Sequence, residues 1–148
     1  MAPITESIEI ARRPEDVFAY ITDPSHVPDW QESVVRVSRE GSGPASDGTR
    51  VVVTRRVGRR EMVMTAELSD LHPPTSWSVL GVDGPVRGIL KGTIDPLQDG
   101  QASRVTMVLD FEGHGIGKLL VPLVVRRQAA SEMPKNQQKL KQLLESGA

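Results

Sequence analysis

The 148-residue chain has a length typical of one domain, and its net charge of −1 provides no global field that would attract nucleic acid or an anionic membrane. The absence of cysteine excludes disulfides, thiol nucleophiles and cysteine-bound metal. The first residues lack the basic-then-apolar pattern of an export signal, and the longest apolar run, residues 116–125, is too short for the roughly 20 residues that span a bilayer. We therefore expect a soluble cytoplasmic protein without stable membrane insertion.

The first elements in chain order are a strand and a short helix, followed by a sharp turn. Isoleucines alternate with polar residues over 4–10, which is the period of a half-buried strand. Pro14, followed by two acidic residues, is typical of a helix start. Pro24 and Pro28 disfavour helical backbone in the residues before them, so the chain is expected to turn across 23–30 and to end that turn on Trp30.

The central part of the sequence reads as a series of strands separated by turns. Alternating apolar residues and turn-forming glycines or prolines predict six further strands at 33–39, 49–57, 60–71, 76–82, 86–96 and 103–111. Their consecutive, hairpin-like order predicts an antiparallel sheet. With no internal repeat and no linker, residues 1–148 are expected to form a single domain.

A long amphipathic helix closes the chain. Its apolar positions recur at helical spacing: Ile116, Leu119, Leu120, Leu123, Ala130, Met133, Leu140 and Leu144. Pro134 lies inside this pattern, so the helix is expected to kink or to break in two there. A helix of this length needs a large partner surface, and the concave face of the sheet is the candidate.

This order of elements resembles the START-like, or SRPBCC, superfamily, and within it the polyketide cyclase/dehydrase and lipid-transport family. The resemblance runs from Ile8 to Glu145 and is carried by segments 10–18, 23–30, 48–50, 96–100 and 140–145. It implies a helix-grip fold of the α+β class, in which a curved antiparallel sheet of about seven strands surrounds a long C-terminal helix, with two short helices after the first strand. It also implies a pocket for a hydrophobic small molecule and relatives that include cyclases, lipid carriers and hormone receptors.

A ligand pocket is expected between the inner face of the sheet and the terminal helix. Aromatic residues make up only 3% of the chain, so the inner face is sparsely filled, and Gly88 and Gly92 are expected to leave further space. Methionines are adaptable liners of irregular apolar pockets. The expected ligand-pocket residues are Trp30, Val53, Arg55, Met64, Trp77, Leu90, Met107, Leu109, Leu123 and Arg126.

Catalytic candidates are few, because the sequence carries no known catalytic motif. His26 is the better placed of the histidines, since the resemblance puts its loop at the pocket mouth, where it could serve as a general base. Arg126 interrupts the apolar stripe of the last helix and needs a partner such as Asp110 or Glu112. It is either a structural ion pair or an anchor for a ligand oxygen. The three histidines lack metal-ligand spacing, so no metal and no cofactor are expected.

Three functions remain open at this point. The first is a non-catalytic carrier or sensor of a lipid- or polyketide-like molecule. The second is a polyketide cyclase or dehydratase that steers an enolate with Arg126 or Arg55 and moves protons through His26, Asp29 or Tyr20. The third is a protein-interaction module or a homodimer. Nucleic-acid binding is not expected, because the basic cluster at 55–60 contains no stacking aromatic residue.

Overall fold

Seven antiparallel strands form one sheet in the computed structural model, which describes residues 2–41 and 43–147. The sheet curls into a half-barrel with the strand order β1-β7-β6-β5-β4-β3-β2. The predicted fold class is confirmed. The strands are β1 (Ile4–Ile10), β2 (Val34–Arg39), β3 (Arg50–Val57), β4 (Arg60–His72), β5 (Ser76–Asp83), β6 (Val86–Leu97) and β7 (Ala102–Gly113).

Two short helices connect the two edge strands of the sheet. The helix α1 (Pro14–Ile21), a 3₁₀ turn (Pro24–His26) and the helix α2 (Val27–Trp30) lie between β1 and β2 in the chain. The Asp23 carboxylate accepts a hydrogen bond from the Ser25 amide (3.0 Å) and so caps the 3₁₀ turn. Because β1 pairs with β7 and β2 pairs with β3, this segment must cross one end of the half-barrel.

The terminal helix is continuous but changes geometry near its start. It consists of α3 (Gly117–Leu120), a π-helical turn (Val121–Val125) and α4 (Arg126–Glu145), 29 residues in all. It continues through Pro134, so the break considered from the sequence does not occur. None of the helices in the described ranges is long and apolar enough to cross a membrane.

The π-helical turn changes which residues face the sheet. Its backbone hydrogen bonds span five residues instead of four, so the buried positions fall later than an α-helical period predicts. Val121 and Val125 are buried, whereas Leu119 and Leu123 are each 65% exposed. The prediction that Leu119 and Leu123 face the sheet is therefore wrong in the first third of this helix.

The helix α4 covers the outer edge of β1 with polar side chains. Gln137 Nε2 donates to the Glu6 carbonyl (3.1 Å) and Lys141 Nζ donates to the Glu9 carbonyl (2.8 Å). The Glu145 carboxylate accepts a hydrogen bond from the Ala11 amide (2.8 Å). Gln137, a polar residue on the inner face of the helix, thus satisfies an edge carbonyl that would otherwise be buried unpaired.

In the part of the chain that the structure describes, the buried apolar residues form three separate clusters. The largest packs Leu140 and Leu144 of α4 against α1 and strands β1, β6 and β7. A second joins Val57, Val86, Val121 and Val125 at the start of the terminal helix, and a third joins Val34, Val51 and Val53 of β2 and β3. Members of all three clusters face one internal space.

Candidate functional site

A cavity of about 220 Å³ lies between the concave face of the sheet and the terminal helix. Most of its lining is aliphatic or aromatic, because the alternate residues of β3 to β7 that point inward are mainly apolar. Eight of the ten residues expected from the sequence line it: Trp30, Val53, Arg55, Met64, Trp77, Leu90, Met107 and Leu109.

Leu123 and Arg126 do not line the cavity. Leu123 is on the outer side of the helix because of the π-helical turn. Arg126 forms an ion pair with Asp110, and its Nη1 donates to the Ala2 carbonyl (3.0 Å). The Phe111 amide, followed by Arg126, holds the pKa of Asp110 below its usual value. Of the two roles considered for Arg126, the geometry is that of a structural ion pair.

His26 does not line the cavity either. Its ring stacks on Tyr20 with a centroid distance of 4.1 Å, and Nδ1 donates to the Tyr20 carbonyl (3.2 Å). Pro24 and Val27 on either side of it do line the cavity. Tyr20 and Asp29, the other expected proton carriers, are absent from the lining as well. His26 is the last residue of the 3₁₀ turn, and no sequence pattern indicated that its ring would stack on Tyr20.

Only one of the two glycines on β6 leaves space. A Cβ on Gly92 would lie 2.2 Å from the Trp77 ring, so the indole already occupies that volume. A Cβ on Gly88 would meet only the side chains of Leu109 and Phe111 at an ordinary 3.8 Å, and Gly88 lines the cavity. The expectation of free space therefore holds at Gly88 and is wrong at Gly92.

One region of the cavity lining is polar, and we call it the Arg55 cluster: Gln31, Ser33, Arg55 and Glu132. Arg55 points inward from β3, in the same alternation as Val53 and Val57. Its guanidinium donates to Ser33 Oγ (2.9 Å) and to Gln31 Oε1 (2.8 Å), both from the segment that joins α2 to β2. Burial lowers the pKa of Arg55, although an arginine remains charged in proteins.

Glu132 reaches the Arg55 cluster from α4. Burial raises the pKa of Glu132 above its ordinary value, and Glu32 adds to this, while the Ser33 hydroxyl, Arg55 and Lys135 oppose it. Sequence reasoning missed Glu132, since it precedes Met133 on a stripe expected to be apolar. A spacing of three or four residues does include Glu132 among the positions of this helix that line the cavity: Val125, Ala129, Glu132 and Asn136. A stripe that begins at Val125 would therefore have predicted Glu132.

Replacing Glu132 by glutamine should stabilise the folded protein at neutral pH. The pKa of Glu132 is raised on folding, so the folded state favours the protonated carboxyl. The stability that this preference adds is complete below the ordinary pKa of 4.5 and is lost as pH rises through the folded-state pKa. A neutral amide avoids that loss. Thermal unfolding should show a higher midpoint for Glu132→Gln than for wild type at pH 7 and a shrinking difference towards pH 4. The control Glu40→Gln, at an exposed position, should show neither effect. A lower midpoint for Glu132→Gln at neutral pH would contradict the raised pKa.

The geometry provides an apolar container with one charged, hydrogen-bonding region. A ligand oxygen can accept from Arg55, and a ligand proton can be shared with Glu132. Trp30 lines the same cavity, and its buried indole N–H has no hydrogen-bond partner among the described residues. Within the same residues, no group of three or more His, Cys, Asp or Glu side chains is placed to hold a metal ion.

Solved structures with the same fold come from several bacteria. A protein from Thermus thermophilus matches with a TM-score of 0.78, 16% identity and 99% of each chain covered. A START superfamily protein from Mycobacterium smegmatis matches with a TM-score of 0.70 and 12% identity, over 99% of this chain and 96% of that one. The Zhui aromatase/cyclase from Streptomyces sp. R1128 matches with a TM-score of 0.73 and 13% identity, over 99% and 98% of the two chains. At these identities the similarity shows the fold alone.

Sequence comparison identifies the family. No curated protein sequence matches the chain. The family model described as polyketide cyclase/dehydrase and lipid transport matches residues 1–145, which is nearly the whole chain. This protein therefore belongs to the polyketide cyclase/dehydrase and lipid-transport family.

Proposed function

We propose that this protein binds a compact hydrophobic molecule, lipid- or polyketide-like, with an oxygen-bearing polar end, and acts as its carrier or sensor. The observation that carries the proposal is an apolar cavity whose main charged region is the Arg55 cluster. The hydrocarbon part would be buried against the sheet, and the oxygen would accept hydrogen bonds from the guanidinium.

The size of the cavity favours a small ligand. Its volume is about 220 Å³. Typical ligand pockets measure about 300–1,000 Å³. A single short chain or a small ring system fits these dimensions, whereas a two-chain phospholipid does not.

Replacing Arg55 by methionine should weaken the binding of a short carboxylate such as octanoate. Hydrogen bonds to charged groups contribute about 1.5–3 kcal/mol, so the expected loss is roughly 10- to 150-fold. Binding is measured through the fluorescence of Trp30 and Trp77, both of which line the cavity. Octanol, which carries no charge, should lose less affinity than octanoate.

The matched control is Arg56→Met, on the neighbouring and exposed position of β3. It removes the same charge from the outer side of the sheet and should leave octanoate affinity unchanged. Equal losses in the Arg55 and Arg56 variants, or none in either, would remove the assigned role of Arg55.

Native mass spectrometry of protein purified from its own host tests the proposed function itself. A bound small molecule, released on denaturation, with a mass and fragmentation pattern of a fatty acid or polyketide is the expected result. Protein that is consistently empty, and that also fails to bind octanoate or octanol, would contradict the proposal.

A second candidate is cyclase-type chemistry, favoured by the position of Glu132. A carboxyl with a raised pKa beside a guanidinium can accept an α-proton from a β-dicarbonyl compound while Arg55 stabilises the enolate oxygen. One protein with this fold is an aromatase/cyclase. NMR should then show faster deuterium exchange at the α-carbon of acetylacetone with wild type than with Glu132→Gln. Equal exchange rates in wild type and Glu132→Gln would contradict the cyclase-type chemistry, and ligand binding alone would remain as the proposed function.

A further inference from the structure

Three apolar side chains protrude from the start of the terminal helix, and we call them the apolar ridge: Ile116, Leu119 and Leu123. They are 57%, 65% and 65% exposed. Their spacing of three and four residues places them on one face of the helix. Single exposed leucines are common on protein surfaces, whereas several exposed apolar side chains on one face are typical of interaction sites.

Four cations accompany the apolar ridge. Lys118 and Arg127 are exposed on the same helix, and Arg59 and Arg60 are exposed at the tip of the β3–β4 hairpin. The tip contacts the helix, because the Gly58 amide donates to Gln128 Oε1 (2.9 Å). In the described ranges, none of these four cations has a carboxylate within 4.0 Å.

The acidic residues nearest in sequence lie beside other side chains and not beside these four cations. Glu61, next to Arg60, pairs with Arg36 at 3.7 Å. Glu112, at the end of β7, lies 3.0 Å from His114 Nε2. The cations around the apolar ridge are therefore not neutralised by ion pairs within the described part of the chain, although the whole chain has a net charge of only −1.

We propose that the apolar ridge and its four cations form a docking surface for an anionic lipid bilayer. Apolar side chains on one face of a helix, with Lys and Arg beside them, are typical of helices that lie in the membrane interface. An anionic leaflet attracts such cations over about a Debye length. This is peripheral attachment and requires no membrane-spanning helix.

The other occupants fit the surface less well. A symmetric pair of chains joined at the ridge would bring like charges together, which disfavours a second copy of this protein. The two leucines are each 65% exposed, so the surface is a protrusion and not a groove that would receive a partner helix.

Docking would place one end of the cavity at the bilayer. Val57 lies at the end of β3 beside the hairpin tip, Val86 at the start of β6, and Val125 in the terminal helix. All three pack together and line the cavity. A hydrophobic molecule could then pass between lipid and protein without crossing water. The docking surface itself is independent of the proposed function, since it needs no ligand in the cavity.

Sedimentation with vesicles tests the proposal. Wild type should bind vesicles of phosphatidylcholine and phosphatidylserine, bind pure phosphatidylcholine weakly, and lose binding as salt is raised. The variant Leu119→Asp/Leu123→Asp should not sediment with either. Removing two cations in Arg59→Gln/Arg60→Gln should lower binding roughly 30-fold, since each contributes about 1 kcal/mol, or fivefold, near an anionic surface.

The matched control is Lys135→Gln/Lys139→Gln, which removes two exposed cations from the far part of α4 and should bind nearly as wild type does. All of the substituted positions are exposed, and thermal unfolding checks that each variant is folded. Absence of wild-type binding, equal binding to neutral and anionic vesicles, or equal losses in the two charge variants would overturn the proposal. So would a wild-type dimer in light scattering that the two aspartates dissociate, because a second copy would then cover the ridge.

Discussion

Replacing Gly88 by leucine is expected to weaken ligand binding while the protein remains folded. Gly88 is on the inner face of β6, and its Cβ position touches only flexible side chains at 3.8 Å. The remaining carbons of leucine would extend into the cavity. A ligand pressed against these carbons should lose about 1–3 kcal/mol, the cost of extra carbons in a filled protein core, so octanoate affinity should fall roughly 5- to 150-fold in a fluorescence titration.

The control for this substitution is Lys91→Leu, an exposed position on the same strand. It introduces the same side chain on the outer face of the sheet and should leave affinity unchanged. Gly92 is not an equivalent site, because a Cβ there would overlap the Trp77 ring. Unchanged affinity in a folded Gly88→Leu protein would mean that ligand binds elsewhere.

Replacing Leu140 by alanine is expected to have the largest effect on stability. Leu140 is 0% exposed in the largest buried cluster. Leucine-to-alanine changes in such cores reduce the free energy of unfolding by about 2–5 kcal/mol. For a chain of this size, about 2–4 °C per kcal/mol gives a drop of roughly 4–20 °C in the thermal unfolding midpoint.

Leu123→Ala is the matched comparison on the same helix. It removes the same atoms from an exposed position, so the free energy of unfolding should change by no more than about 0.5 kcal/mol. Comparing Leu140→Ala with Leu123→Ala therefore tests which side of the helix faces the sheet before and after the π-helical turn. A loss at Leu123 as large as that at Leu140 would show that the α-helical stripe read from the sequence is the correct one.

The sheet and most of the cavity lining were predictable because a strand has a simple period. Side chains alternate between the two faces, so a correct parity on β3 places Val53 and Arg55 inside. The same parity places Met64 on β4 and Leu90 on β6 in the cavity. Strand order followed from short turns between consecutive strands.

The terminal helix was harder because its phase is not constant. An α-helical period extended from Leu119 assigns Leu123 and Arg126 to the inner face, and the π-helical turn moves both away from the cavity. No local sequence signal reveals such a turn. Glu132 was missed because of the same change of helix phase. Val125, Glu132 and Met133 all line the cavity, and their inward positions follow from the π-helical turn.

Side-chain contacts that periodicity does not describe were the other source of error. His26 stacks on Tyr20 six residues earlier, and the Trp77 ring fills the space beside Gly92 from a neighbouring strand. Both contacts depend on rotamers and on the curvature of the sheet, which composition and periodicity do not determine.

Crystals exposed to benzene or xenon give the most direct test of the hollow between sheet and helix, since small apolar guests enter dry apolar cavities of proteins. Electron density for the guest is expected between Met107 and Leu109 on the inner face of the sheet and Met133 on the terminal helix. Side chains that fill this volume, with guest density only on the outer surface, would contradict the existence of a ligand cavity.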